Sequence, residues 1–344
     1  MSTEPPFAEP PRDTSATAHT AGTAASVEKP DGFPGTTLRP GHPAANGHRA
    51  ALRSIARIVE DAAPPQDPAI ARAGILDLLR EHRPLVITGA GISTDSGIPD
   101  YRGPQGSLRR HRPMTYQEFR HDDGARHRYW ARSFVGWRQM DAAFPNRAHH
   151  ILAGWQRAGV LAGVVTQNVD GLHAAAGTPG LVALHGDLDR VRCLHCGALE
   201  DRRSFDARLV EANPGYLEAV RVDPQMVNPD GDVTLGQEWV DRFHLVGCLV
   251  CGSVELKPDV VYFGESVPAE RKAAARQAFE RAGSVLAIGT SLAVMSGYKF
   301  VLDAERQGMP VAVLNGGPTR ADTKAAFRWR TRLAPALEWL DARL

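Results

Sequence analysis

The chain has 344 residues, of which 43% are hydrophobic and 23% charged, and its formal net charge is +1. These values are ordinary for a globular protein and leave room for one large domain plus a smaller one. The near-neutral charge gives no electrostatic reason to expect a nucleic acid or a membrane surface as partner. No apolar run approaches the ~20 residues that span a bilayer, and the N-terminus lacks the layout of a secretory signal or a mitochondrial presequence. We therefore expect a cytoplasmic protein.

The first 47 residues are rich in Pro, Ala, Thr, Gly and Ser and carry almost no large apolar side chains. Such a segment cannot bury enough surface to offset the entropy cost of ordering it. We therefore predict a disordered tail over residues 1–47. Helical spacing of apolar residues follows over residues 50–62 and 70–80, which predicts two helices that lead into the first strand.

Residues 84–103 organise the rest of the chain. The apolar run over residues 85–87 is typical of a strand buried on both faces of a parallel sheet, and Gly89-Ala90-Gly91 follows almost at once. Main-chain N–H groups of such a turn can bind a phosphate. Thr94 stands where the dinucleotide fingerprint has a third glycine, and residues 108–112 hold no carboxylate for a ribose hydroxyl. A nucleotide site is favoured over an ordinary tight turn, and a hydride-transferring dehydrogenase is disfavoured.

Four further apolar runs predict short strands over residues 161–165, 181–184, 284–288 and 311–314. Each run ends in glycine or polar residues. Ligands of an open parallel sheet bind beyond the carboxyl ends of its strands, so we expect these polar ends to meet in one cleft. Residues 115–157 are rich in aromatics and arginine. With so little excess charge, a helical module that packs its aromatics inward explains them better than a nucleic-acid surface does.

The four cysteines of the chain form two C-x-x-C pairs, Cys193/Cys196 and Cys248/Cys251, and a glycine follows each pair. Two such pairs make a tetrahedral four-sulfur zinc site. A reducing cytoplasm argues against structural disulfides, and the absence of an open ligand position favours a structural over a catalytic metal. A thioredoxin-like redox pair is the less favoured alternative. We take His195, inside the first pair, as solvated and not as a ligand.

With these pieces placed, the sequence resembles the sirtuins, the NAD-dependent protein deacylases, from about residue 70 to the C-terminus. The resemblance rests on Gly89-Ala90-Gly91, Ser96-Gly97-Ile98-Pro99-Asp100 with Arg102, residues 166–173 (TQNVDGLH), Leu184-His185-Gly186, the paired C-x-x-C, Lys257-Pro258-Asp259, Phe263-Gly264-Glu265, Gly289-Thr290-Ser291-Leu292 and Asn315. Residues 128–132, Ser296-Gly297-Tyr298 and residues 317–320, with the long insertion between the cysteine pairs, look most like the class II branch, here in a bacterial form.

The resemblance implies a fold, a co-substrate and a mechanism. The fold class is α/β, with a Rossmann-like parallel-sheet domain and a smaller zinc-binding and helical module. The protein would remove acyl groups from protein lysines and transfer them to ADP-ribose, with release of nicotinamide. His185 would be the general base on a ribose hydroxyl, a task that suits a group with a pKa near neutrality, and Asn168 would be the second catalytic residue. Implied NAD contacts are Gly89, Ala90, Gly91, Ile98, Asp100, Arg102, Gln167, Asn168, Asp170, Gly289, Thr290, Ser291, Asn315, Gly316 and Leu333. The four cysteines would hold one structural zinc.

The implied domains divide the chain into alternating segments. The Rossmann-like domain would comprise residues 48–103, 161–190 and 257–344, the helical module residues 104–160, and the zinc-binding module residues 191–256. The expected partners are acyl-lysine proteins. The identity of the acyl group is not predicted. Tyr129 and Arg132 match the Tyr-x-x-Arg motif of the desuccinylating branches, but they lie about one helical turn before the position of that motif. We therefore assign them no role. Mono-ADP-ribosyl transfer and a non-catalytic zinc-ribbon binding module remain as alternatives.

Overall fold

The structure is a computed structural model, which describes residue 38 and residues 41–64, 66–104, 106–220 and 227–344. Most of the predicted tail lies outside these residues. Its last three residues, 45–47, belong to the first helix, so regular structure begins earlier than the composition predicts.

The strands and helices alternate along most of the chain. The strands are β1 (Leu85–Thr88), β2 (Gly163–Thr166), β3 (Val182–Ala183), β4 (Gly186–Cys193), β5 (Leu199–Asp201), β6 (Leu256–Val260), β7 (Val285–Ile288), β8 (Val311–Asn315) and β9 (Phe327–Arg330). The helices are α1 (Ala45–Ile55), α2 (Pro68–Glu81), α3 (Tyr116–His121), α4 (Asp123–Asp141), α5 (Arg147–Arg157), α6 (Leu172–Ala175), α7 (Arg202–Ala212), α8 (Tyr216–Ala219), α9 (Gln237–Arg242), α10 (Ala269–Glu280), α11 (Met295–Arg306) and α12 (Leu333–Asp341). Among the described residues, none of these helices combines the length and apolar character that a membrane span requires.

The larger sheet has six described strands in the order β3-β2-β1-β7-β8-β9, and all neighbouring strands run parallel. The predicted α/β class is thereby confirmed, and each of the five predicted apolar runs contains or overlaps one of these strands. The sequence prediction missed β9, an edge strand whose Phe-Arg-Trp-Arg sequence lacks a continuous apolar run.

The chain leaves the middle of this sheet in two directions. From β1 it moves outward to β2 and β3, and it later returns to place β7, β8 and β9 on the other side of β1. The boundary between β1 and β7 is therefore the point where the strand order reverses. In open α/β sheets, ligands bind in the crevice at the carboxyl ends of the strands that flank this point.

Strand side chains alternate between the two faces of the sheet, and apolar cores cover both faces. Val86, Val164 and Leu286 share one core with apolar residues of α2, α5 and α12. Leu85 and Ile87 share the other core with residues of α10 and α11. Coverage on both faces explains why these strands are short, continuous apolar runs.

A second unit combines α3, α4, α7, α8 and α9 with the three-stranded antiparallel sheet β5-β4-β6. Trp130 and Phe134 of α4 are fully buried in its core, and the Trp130 indole N–H donates to the Leu256 carbonyl at 2.8 Å. The buried Arg202 guanidinium lies over the rings of Trp130 and Trp137, 5.1 and 4.9 Å from their centroids. Most of the aromatic residues of this region therefore pack inward, as the sequence predicts, in cation–π and ring contacts, whereas Phe144 is 79% exposed.

Helix α1 ends at Ile55, although its apolar spacing predicts a helix as far as residue 62. Ile58, which the spacing places on the apolar face, is 82% exposed. The Arg102 guanidinium lies 3.4 Å from each of the carbonyl oxygens of Ser54, Ile55 and Arg57. A basic group at these carbonyls satisfies acceptors that a longer helix would have bonded itself, so a tertiary contact marks the end of α1.

We expect Gly136→Ala to destabilise the protein although alanine is the better helix former. A Cβ atom at Gly136 of α4 would collide with the main-chain oxygen of Gly231. Helix propensity favours alanine by about 1 kcal/mol, whereas overpacking a core costs about 1–3 kcal/mol, so the net change in the free energy of unfolding is a loss. Urea denaturation measures it.

Gly154→Ala in α5 is the matched control. A Cβ atom there meets no heavy atom within 4 Å, so only the propensity gain of up to about 1 kcal/mol remains. Equal stabilisation by both substitutions would contradict the packing of α4 against residue 231.

Candidate functional site

Two glycine turns meet at the carboxyl ends of β1 and β7. The Gly91 N–H donates to the Gly289 carbonyl at 2.9 Å, and a Cβ atom at Gly91 would lie 2.8 Å from that oxygen. Gly289 has φ of 61°, and a Cβ atom there would lie 2.6 Å from the Ile92 nitrogen. The glycines are therefore required by the close approach of one main chain to another.

A three-residue polar cluster joins the end of β2 to the loop after β1. The Ser93 hydroxyl donates to the Asp170 carboxylate at 2.6 Å, and the Asn168 amide donates to Ser93 Oγ at 3.0 Å and to Asp170 at 3.1 Å. The other carboxylate oxygen of Asp170 accepts the Leu172 N–H at 2.9 Å. Burial raises the pKa of Asp170, while the bonds from Ser93, Leu172 and Asn168 oppose that rise. Both carboxylate oxygens of Asp170 thus accept hydrogen bonds.

His185 follows β3 and makes one hydrogen bond with each ring nitrogen. Nδ1 lies 2.9 Å from the Gln167 carbonyl oxygen, and Nε2 lies 2.7 Å from Ser296 Oγ. A carbonyl oxygen only accepts, so Nδ1 carries the proton and Nε2 offers its lone pair. Burial lowers the pKa of His185 to about 4, with a further lowering from the Arg271 charge. The imidazole is therefore neutral at neutral pH and has its basic nitrogen at Ser296.

Gln167 links the histidine to the centre of the sheet. Its carbonyl accepts from His185, its N–H donates to the Thr88 carbonyl at 2.9 Å, and its side-chain oxygen accepts the Thr290 hydroxyl at 2.8 Å. The ends of β1, β2 and β7 are thus connected to the loop after β3. The predicted convergence of distant polar segments on one cleft agrees with these contacts.

The remaining residues with predicted NAD contacts lie along the same edge or beside it. Ala90 begins a 3-10 turn that ends at Ser96, and the Ser291 carbonyl accepts the Arg320 N–H at 2.9 Å. The Asn315 amide closes a turn by donating to the Gly317 carbonyl at 2.8 Å, with the exposed Gly316 between them.

The last four residues with predicted NAD contacts differ in their surroundings. Leu333, at the start of α12, lies against Gly289, and Asp100 accepts the Gly103 N–H at 2.8 Å. Ile98 is 2% exposed and belongs to the core of the second unit. The Arg102 guanidinium is turned toward the α1 carbonyls described above.

Arg132 is engaged inside the protein. Its guanidinium contacts the Asp232 carboxylate at 2.9 Å and is buried, and the His111 ring contacts the same carboxylate at 3.0 Å. Arg132 also bonds to the Val233 carbonyl at 2.5 Å. A guanidinium neutralised in this way is not available to a second carboxylate, which agrees with our assigning it no role.

The four cysteines lie at one end of the second unit. Their Sγ atoms are all within 4.8 Å of one another, with 3.6 Å between Cys193 and Cys251 and 3.7 Å between Cys196 and Cys248. Zinc binds thiolates at ~2.3 Å in a tetrahedron, which requires sulfurs ~3.8 Å apart. Disulfides need ~2.05 Å between sulfurs. The cysteines therefore fit zinc and not a pair of disulfides.

The glycine after each cysteine pair has a conformational reason. Gly197 and Gly252 have φ of 78° and 73°, and each donates its N–H to the carbonyl of the first cysteine of its pair at 2.9 Å. Only glycine adopts this left-handed conformation without strain. The two turns are thus equivalent, and each directs two thiols to the same centre.

A sequence profile described as "Sir2 family" matches residues 89–296, which include β1's glycine turn, the polar cluster, His185 and all four cysteines. The chain belongs to the Sir2 family. The resemblance to the sirtuins drawn from the motifs is thereby confirmed.

Relatives and solved structures with similar sequences cover about four fifths of this chain. NAD-dependent protein deacetylase 1 of Corynebacterium efficiens is 59% identical over 273 residues, which are 79% of this chain and 97% of that protein. The mitochondrial NAD-dependent protein lipoamidase sirtuin-4 of Homo sapiens is 41% identical over 283 residues, or 81% of this chain and 88% of that protein. A solved Sir2 homologue in complex with NAD has a TM-score of 0.60 at 27% identity and covers 83% of this chain and 96% of its own.

Two serines of this Sir2 site were absent from the predicted set. Ser93 lies in the loop after the glycine turn of β1, and Ser296 enters the sequence analysis only within the Ser296-Gly297-Tyr298 motif. Ser93 is two residues beyond the glycine turn, and Ser296 lies in the first turn of α11, five residues beyond Ser291. Their positions after strand ends could have indicated them, because polar residues that follow strand ends face the crevice. Their partners became visible only with the fold.

We expect one zinc per chain, and we expect Cys193→Ala to lose it and to unfold the second unit. A structural zinc site contributes directly to folding free energy. Elemental analysis and circular dichroism measure the two effects. His195→Ala is the control, because this exposed side chain lies between the same cysteines and is not assigned as a ligand. A metal-free Cys193→Ala protein with a native spectrum would contradict the structural role.

We expect stability to fall as pH is lowered from about 6.5. His149 and His173 are 0% and 1% exposed, and burial lowers their pKa values to about 3 and about 4. Between these values and the unfolded value of about 6.5, the unfolded chain binds more protons. The free energy of unfolding therefore rises with pH in this window, by up to about 1.4 kcal/mol per pH unit for each histidine, and is flat above it.

Denaturation at pH 5 to 7.5 measures that slope. His149→Gln should reduce the slope by up to about 1.4 kcal/mol per pH unit, whereas His150→Gln, on the exposed side of the same helix, should leave it unchanged. An unaltered slope in His149→Gln would mean that this imidazole is already charged in the native protein.

Proposed function

We propose that the protein is an NAD-dependent protein deacetylase that transfers an acyl group from lysine to ADP-ribose and releases nicotinamide. The observation that carries the proposal is the neutral His185, hydrogen-bonded through Gln167 to the strand ends at the reversal point of the parallel sheet. Two relatives, at 59% and 52% identity, are named NAD-dependent protein deacetylases, which supports the proposal. A solved Sir2 protein with a p53 peptide and NAD+, at 28% identity and a TM-score of 0.61, has the same architecture.

We assign the crevice at the β1–β7 boundary to NAD. A dinucleotide bound there supplies the ADP-ribose that accepts the acyl group. The turns at Gly89–Gly91 and Gly289–Ser291 line this crevice, and the phosphates of the dinucleotide would contact the Ser291 hydroxyl and main-chain N–H groups other than those of Gly91 and Gly289, which are bonded within the protein. The Ser93, Asn168 and Asp170 cluster offers amide and carboxylate groups to the leaving base. Because each donor in that cluster is held by another, its geometry is preorganised before the substrates bind.

We assign His185 the general-base role. Nδ1 is committed to the Gln167 carbonyl, so proton transfer takes place at Nε2. A low pKa keeps the base in its neutral form over the whole neutral range. It also limits basicity, so the proton must be taken from a hydroxyl whose acidity rises as the reaction proceeds.

The zinc would be structural. Four thiolates fill a tetrahedral coordination sphere and leave no position for a substrate or water. Reduced thiols as ligands also suit a reducing compartment, which supports our proposal of a cytoplasmic location. The expected protein substrates carry acetylated lysines.

We expect neutral acyl groups to be accepted in preference to acidic ones. Arg132, the arginine of the Tyr-x-x-Arg spelling, is already paired with Asp232. Human sirtuin-4, at 41% identity, is named a lipoamidase, so a long neutral acyl group belongs in the test. Succinyl-lysine should be the poorest substrate.

The experiment incubates the protein with NAD and acetyl-, lipoyl- and succinyl-lysine peptides and measures free nicotinamide and acyl-ADP-ribose. We expect nicotinamide release that depends on the acyl peptide, and a loss of about 10²–10⁴-fold in acyl transfer for His185→Tyr, the range that general acid–base catalysis supplies. His150→Tyr, on an exposed helix face, is the control.

Other outcomes identify the alternatives. Labelled ADP-ribose on protein without an acyl peptide would indicate mono-ADP-ribosyl transfer. No turnover with any peptide would indicate a non-catalytic, zinc-containing binding module. An unchanged rate in His185→Tyr would remove this histidine as the base.

A further inference from the structure

The basic nitrogen of His185 already accepts a hydrogen bond within the protein. Ser296 Oγ lies 2.7 Å from Nε2, and Nδ1 already donates to the Gln167 carbonyl. A hydroxyl donates one proton and accepts at two lone pairs. Ser296 therefore donates to Nε2 while its lone pairs remain free for another donor. A substrate hydroxyl that gives its proton to His185 must either displace Ser296 or pass the proton through it.

The surroundings hold Ser296 in this place. It is the second residue of α11, a helix of 12 residues whose start follows Val294. A Cβ atom at the next residue, Gly297, would lie 2.7 Å from the Gln167 side-chain nitrogen, so the start of the helix packs directly on Gln167. The Thr290 hydroxyl in turn fixes the Gln167 side chain. Both partners of the His185 ring thus belong to one packed unit, and displacement would disturb that packing.

The helix terminus also suits proton transfer. The first turn of a helix carries a partial positive charge of roughly half a unit and stabilises negative charge on nearby atoms. An oxygen there loses a proton more readily than an ordinary serine oxygen. Retention of Ser296 as an intermediate carrier therefore agrees with both the packing and the electrostatics.

We propose that Ser296 is a proton relay between a substrate hydroxyl and His185, a proposal that rests on the function proposed above. The substrate hydroxyl gives its proton to Ser296 Oγ as the Ser296 proton moves to Nε2. The substrate oxygen keeps the electron pair of its broken O–H bond and becomes the nucleophile. His185 becomes an imidazolium, and Ser296 is a neutral hydroxyl at the end as at the start.

Charged groups near the ring affect the imidazolium. Arg271 of α10 disfavours it, and Asp259 of β6 binds Arg271 at 2.8 Å and offsets part of that charge. Asp187, on β4, interacts with both of these groups. None of these three side chains is bonded to Nε2 in the described structure, so the relay position belongs to Ser296.

The test separates the step before the relay from the step that uses it. Return of labelled nicotinamide into NAD, in the presence of an acetyl-lysine peptide, measures the first step. Formation of acyl-ADP-ribose measures the second. Ser296→Ala should lower the second rate at least about tenfold, up to the about 10²–10⁴-fold that general acid–base catalysis supplies, and leave the first within about twofold. Ser296→Thr, which keeps a hydroxyl, should retain most of the second rate.

Two further measurements distinguish a relay from a structural role. The wild-type solvent-isotope dependence of acyl transfer in H2O–D2O mixtures should be curved, because two protons move together, and linear in Ser296→Ala. Nitrogen-15 NMR of His185 in the protein without substrates should show a hydrogen-bonded Nε2 in the wild type and a free acceptor in Ser296→Ala. Lys299→Ala, at an exposed position of the same helix, is the control.

Three results would overturn the relay. Acyl transfer within twofold of wild type in Ser296→Ala would do so, with the proposed function intact. Equal loss of both steps, with a lowered melting temperature and no recovery in Ser296→Thr, would make the residue structural. A wild-type protein inactive on every acyl peptide would remove the relay together with the proposed function.

Discussion

The structure depends on one main-chain contact, the hydrogen bond from the Gly91 N–H to the Gly289 carbonyl. It joins the ends of β1 and β7, the two strands at which the strand order reverses. A side chain at either position would push the two turns apart. That contact holds the two turns together at the carboxyl edge of the sheet, next to the loops that carry Ser93, Asn168 and Gln167. The close approach of the two main-chain turns thus helps to fix the positions of the polar side chains in the site.

Gln167 transmits this constraint to His185. It is the first residue after β2, and its main chain and side chain bond to the loops of three other strands. One consequence is the fixed tautomer of His185, since a carbonyl accepts only the Nδ1 proton. Another is that His185 and Ser296 face each other although they are separated by 111 residues in sequence. An uncharged residue therefore determines which nitrogen of His185 has its lone pair directed at Ser296.

The sequence predicted features that follow from local composition and failed where a tertiary contact decides. Buried parallel strands are continuous apolar runs, so residues 85–87 and 284–288 were recognisable. The cysteine spacing specified a four-sulfur site because each pair closes its own turn at Gly197 or Gly252. By contrast, the end of α1 is marked by Arg102, 47 residues later than Ile55. The edge strand β9 lacks an apolar run, and the partners of Ser93 and Ser296 are distant in sequence, so no local pattern indicated them.

Strand β4 connects His185 directly to the cysteine cluster. It begins at Gly186, directly after His185, and ends at Cys193, the first zinc ligand. Its eight residues span ~26 Å at ~3.3 Å per residue. The Val261 N–H, at the end of β6, also holds the His185 carbonyl at 2.7 Å, and β6 begins five residues after Cys251. Loss of the ion, which we expect to unfold the second unit, would therefore also remove the two strands that hold the main chain on both sides of His185.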